Sequence, residues 1–123
     1  MTISGILSHD DLLTLARKVE AAAADGDRER VLYTAAHMFD HLREHIAAER
    51  ANLHRLAPRD ERLLGHGQRR VADVALELAI AAETAPEECR CETLALELLA
   101  LLEEQADDER LAGVPPIGTA LAP

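Results

Sequence analysis

From Ser8 to Ala112 the chain runs through helix-forming residues, and only three short stretches can interrupt it. They are "DGD" at 25–27, the step at Pro58, and "TAPEE" at 84–88. Glycine reaches the left-handed conformation that ends a helix, and proline lacks the amide donor that a helix interior needs. These breaks divide the sequence into four helices, over about 8–24, 27–56, 60–84 and 87–112. No strand candidate competes with them. Four long helices on short connections favour an all-α, antiparallel up-down-up-down four-helix bundle.

Local signals agree with these boundaries. Ser8 followed by Asp11 reads as an N-cap with an acidic residue at N3. Gly26 can end the first helix, and Asp27 can cap the second. Pro58 either ends the second run or occupies the first turn of the third, whose opening Gly65 and Gly67 weaken. Pro86 with two glutamates after it favours a fresh N-terminus. Leu12, Leu13, Leu15, Ala16 and Val19 form an apolar side of the first helix, and Leu94, Leu98, Leu101 and Leu102 recur at helical spacing in the fourth. The closing "GVPPIGTALAP", 113–123, carries three prolines and two glycines and is expected to pack loosely or not at all.

At 123 residues one domain is expected, the bundle spanning 1–112. Tyr33 and Phe39 are the only aromatic residues, so Leu, Ala, Val and Ile must build the core. No apolar run is long enough for a bilayer and the N-terminus lacks the basic start of a signal peptide, which makes a cytoplasmic protein the default. The formal net charge of -10 argues against a nucleic-acid partner and tolerates a role in holding cations. Cys89 and Cys91, two apart on a helix, point in different directions and read as ordinary thiols. No serine or threonine has a histidine and an acid at a spacing that would activate it, so enzymatic turnover has no positive support.

The bundle topology gathers polar residues at one end. The start of helix one, the end of helix two, the start of helix three and the end of helix four share that end, bringing together His9, His45 with Glu49, His66, and the group Glu104, Gln105, Asp108 and Glu109. His9 is expected somewhat higher, toward the rim. His37, His41, His45 and Glu49 step by four, so their stripe drifts by about 40° at each step and all four cannot point inward. His37 and His54 read as surface residues. His45 and Glu49, flanked by Leu42, Ile46 and Leu53, read as interior, with His41 between the two cases.

"FDHLREHIAAERANL" followed by "ERLLGHGQRRVADVALEL" resembles the second and third helices of the hemerythrin HHE cation-binding family, over roughly residues 6–112. The resemblance implies a four-helix bundle around a non-haem di-iron centre. It places the family's ligands on His9, His45, Glu49 and His66, and on an acid of the fourth helix. There the alignment admits Gln105 with Glu109, or Glu104 with Asp108 and Glu109. The chain departs from the pattern in two places: Arg70 stands where some members carry a second histidine, and the fourth-helix histidine is missing. His9, His41, His45, Glu49, His66, Glu104 and Glu109 are thus the candidate metal residues, for one or two iron ions. Dioxygen or another small diatomic ligand, bound for sensing, or iron storage, is the implied role. The other reading is a bundle without metal that serves as an interaction or structural protein, a homodimer through an Ala/Leu face.

Overall fold

The computed structural model describes residues 6–84 and 90–115. Four α-helices follow in order: α1 His9–Ala24, α2 Arg28–Leu53, α3 Pro58–Thr84 and α4 Arg90–Ala112. Each packs against its neighbour in sequence, and α1 closes the ring on α4. This is the expected antiparallel bundle. None of the described helices is long and apolar enough to cross a membrane.

The helix ends follow from local chemistry. The Ser8 hydroxyl accepts from the Asp11 amide, and the Asp27 carboxylate from the Arg30 amide. Gly26 has φ +71°, and the Asp27 amide reaches back to the Ala22 carbonyl at 3.1 Å, closing α1 with a left-handed cap. The same device ends α4: Gly113 has φ +79°, and the Val114 amide donates to the Glu109 carbonyl at 2.9 Å.

Two boundaries differ from expectation. α2 stops at Leu53 rather than near Leu56, because Arg55 and Leu56 donate to carbonyls three residues back in a tight turn. The residue before a proline is pushed out of helical backbone, so the chain must turn before Pro58, which then opens α3 at its first position. The expected start of α4 near Glu87, and Cys89 with it, lies outside the described residues. Cys91 is fully buried in the core.

The core has two apolar layers. The larger fills most of the bundle with Leu12, Val19, Met38, Leu42, Leu78 and Leu98 among its members. The smaller, at the α2–α3 turn, comprises Leu53, Leu64 and Val114, with Leu56 and Ala112 against them. Val114 is only 7% exposed, so the tail does not begin loose: its first apolar residue seals this end. Residues 116–123 lie outside the described set. Along α2, α3 and α4 the buried residues between the two layers are polar: His45 and Glu49, Gln68, and Gln105 and Glu109.

Candidate metal centre

Helical phase puts these side chains in a single polar layer. On α2, His45 and Glu49 continue the inward stripe of Val31, Ala35, Met38 and Leu42. On α3 the inward positions are Leu64, Gln68, Val71, Ala75 and Leu78, and on α4 they include Leu98, Leu102, Gln105 and Glu109. His9, the first residue of α1, reaches the layer from the rim.

The contacts are short and reciprocal. His9 Nε2 lies 2.9 Å from Glu109 Oε1 and 3.3 Å from Glu49 Oε2. His45 Nε2 lies 3.3 Å from the same Glu49 oxygen, and the two rings meet edge to face with centroids 4.5 Å apart. His45 Nδ1 donates to the Leu7 carbonyl at 2.6 Å. That bond fixes the ring and turns Nε2 toward the layer, the usual support for a metal-ligating imidazole. The Gln68 amide donates to Glu49 Oε1 at 2.7 Å. The Gln105 amide donates to Glu109 Oε2 at 3.1 Å and to the Leu64 carbonyl at 3.2 Å.

Charge is tightly coupled here. Burial opposes the charged form of His9, yet hydrogen bonds to Glu109 and Glu49, and their charges, raise its pKa to about 9. Burial also works against ionised Glu49, but hydrogen bonds with His45, His9, Glu109 and Gln68 hold it well below the usual carboxylate range. Glu109 goes the other way: burial and the neighbouring Glu49 outweigh the help of His9 and raise it. Two acids thus face the His9 imidazolium across the layer, and a cation among them would relieve the repulsion between their ionised forms.

Of the residues expected from sequence, His9, His45, Glu49 and Glu109 come together. His66 and Glu104 do not: both are exposed. His66 lies two residues from both inward-facing Leu64 and Gln68, about 200° round the helix, so it must face out. Glu104 precedes inward Gln105 by one position and turns off the stripe, so Gln105 and Glu109 are the buried polar pair of α4. Arg70 is exposed as well. His41 is half-buried one turn above His45, its ring edge-on to exposed His37 at 4.5 Å, and it does not join the four. His54 is exposed, as expected. Gln68 was missed. The apolar period of Leu64, Val71, Ala75 and Leu78 would have placed it inward.

The residues fit one ion better than two. Ligand atoms of His9, His45 and Glu49 all lie within 4.8 Å of one another. Bonds of about 2.1 Å would put opposite ligands about 4.2 Å apart, so only small shifts are needed. Two imidazoles and a carboxylate are the donor set of mononuclear non-haem iron sites, and Glu109, 2.9 Å from His9 Nε2, stands beside them. A second ion finds no further imidazole at this level, where the neighbouring inward polar residues are the amides Gln68 and Gln105. A small cavity of about 10 Å³ adjoins the cluster, walled partly by Leu42, Ile46, Val71 and Leu102. A groove of about 500 Å³ between Ser8, Asp10, Arg110 and Val114 reaches His9 and Glu109 from solvent.

Comparison of the chain with known protein families, with curated proteins and with solved structures finds no match.

Proposed function

We propose that this bundle is a hemerythrin-like metal-binding protein holding a single non-haem iron ion through His9, His45, Glu49 and Glu109. The observation that carries the reading is the arrangement around His45. Its Nδ1 is committed as a donor to the Leu7 carbonyl, while its Nε2 faces the Glu49 carboxylate, which also faces His9 Nε2. A cation satisfies both nitrogens and the carboxylate at once. Gln68 and Gln105 hold the outer oxygens of Glu49 and Glu109, so the inner oxygens stay aimed at a common point.

When bound, iron supplies a Lewis-acidic, redox-active centre able to take a diatomic ligand. The chain's own contribution is a shaped surround, apolar on the inner side and open to solvent at His9 and Glu109. Leu42, Ile46, Val71 and Leu102 wall the inner side of the ligands, and the cavity of about 10 Å³ between them is at the lower limit for a single water, so a diatomic ligand would require these walls to shift. Sensing or storage of a diatomic gas or of iron suits such a site. A metal-free structural bundle is the second reading, favoured by one observation: protonated His9 can itself serve as the cation between Glu49 and Glu109.

Metal analysis separates them. Protein produced with iron in the medium should carry about one ion per chain after mild purification, with a visible absorption that a chelator removes. A content below about 0.2 per chain would leave the second reading standing.

A further inference from the structure

The chain is acidic overall, yet Arg50, Arg55, Arg59, Arg62, Arg69 and Arg70 crowd into residues 50–70, with only Asp60 and Glu61 between them. Three of the six, Arg50 from α2 and Arg62 and Arg69 from α3, line one groove of about 560 Å³ beside the α2–α3 turn. Among the described residues none of the three is in an ion pair, although Arg30, Arg90 and Arg110 each have a carboxylate partner. Glu61, the acid lining the same groove, is engaged by His54 Nδ1 at 2.9 Å.

The backbone leaves room for the guanidinium groups. Arg62, Gly65 and Arg69 fall on one helical stripe, at i, i+3 and i+7. Arg69 Nη1 lies 3.9 Å from where a Gly65 Cβ would stand, so the guanidinium folds over the bare helix surface. Buried Gln68 lines the groove too, while its amide holds Glu49 on the inner side. Like charges gathered without partners repel one another, and a planar guanidinium is suited to two-pronged recognition of oxyanions.

We propose that this groove is a binding site for a phosphate-bearing small molecule, gripped by Arg50, Arg62 and Arg69. The groove has the volume of a small-ligand pocket, and a chain of net charge -10 is poorly suited to a long polyanion, which favours a compact phosphate over a nucleic acid. The groove meets the metal centre only at Gln68, and the three arginines that define it do not depend on the metal reading.

The test uses the full chain stripped of metal by a chelator, so that phosphate cannot bind to an ion. Titration calorimetry with inorganic phosphate and pyrophosphate at low salt should give one-site saturation with a Kd below about 1 mM for the tighter of the two. The double variant Arg50→Gln/Arg69→Gln should weaken it at least about tenfold. Arg17→Gln/Arg43→Gln, an equal charge change at exposed sites elsewhere, should leave it within about twofold. All four positions are exposed, so both variants should melt like the parent. Absence of saturation up to about 10 mM, or equal weakening in the two double variants, would overturn the proposal.

Discussion

His9 and His45 do different work in the polar layer, and substitution should separate them. His45 is 1% exposed and is the partner of the Leu7 carbonyl, so His45→Ala removes a proposed ligand and orphans a backbone acceptor. Metal-free protein should lose about 1–3 kcal/mol from that orphaned group and the space left behind. Metal loading should vanish, and with it any rise in melting temperature on adding iron, because that rise is linkage to a ligand bound only by the native state. A variant that still loads iron like the parent would remove His45 from the ligand set. His9 governs the pH response. Its folded pKa of about 9 lies above its ordinary 6.5, so the stability it confers on metal-free protein is complete below about pH 6.5 and is lost as pH rises through about 9. Glu49, held well below the usual carboxylate range, stays ionised throughout this interval. Denaturant melts of metal-free protein should therefore show stability falling from pH 6.5 to 9.5, with a flatter profile in His9→Gln. A stability that holds or rises over that interval would contradict the His9–Glu109–Glu49 coupling.

Two glycines of α3, two residues apart, pose opposite constraints. A Cβ on Gly67 would stand 2.0 Å from Gln105 Oε1, whereas on Gly65 it would meet nothing closer than Arg69 Nη1 at 3.9 Å. Gly67→Ala must push the Gln105 amide away from Glu109 and from the Leu64 carbonyl, and about 1–3 kcal/mol of destabilisation is expected. Gly65→Ala should be neutral or stabilise by up to about 1 kcal/mol, since alanine favours the helix. Urea melts of the two variants measure the contrast, and a tolerated Gly67→Ala would refute the α3–α4 contact through Gln105. Sequence pattern alone read Gly65 and Gly67 alike, as weak points of the opening turns, because a close approach by another helix leaves no local signal. The elements themselves were legible: Ser8, Gly26, Asp27 and Pro58 mark helix ends by chemistry that acts within a few residues. The inward stripe of α2 was legible too, since Leu42 and Leu53 frame His45 and Glu49. The α3 residue was not. His66 drew attention as an imidazole, but phase decides orientation, and phase belongs to Gln68.

At the scale of the molecule, the polar layer divides the bundle into a large apolar body and a small apolar plug. The plug consists of Leu53, Leu64 and Val114, and it covers the end of the bundle next to Glu49, Gln68 and Glu109. Val114 reaches it only because Gly113 turns the chain back through a left-handed residue, tying the Val114 amide to the Glu109 carbonyl. One buried valine beyond the last helix thus completes the small apolar plug beside the layer that holds the proposed ligands. Comparing chains cut after Pro115 with chains cut after Gly113 isolates this contact. The shorter chain loses the burial of a valine side chain, about 1.5 kcal/mol or more, and one hydrogen bond at the end of α4. In a bundle of this length that should lower the thermal midpoint by roughly 8–12 °C relative to the longer one. Equal midpoints for the two chains would show that Val114 is not a working part of the core, and that the bundle ends with α4.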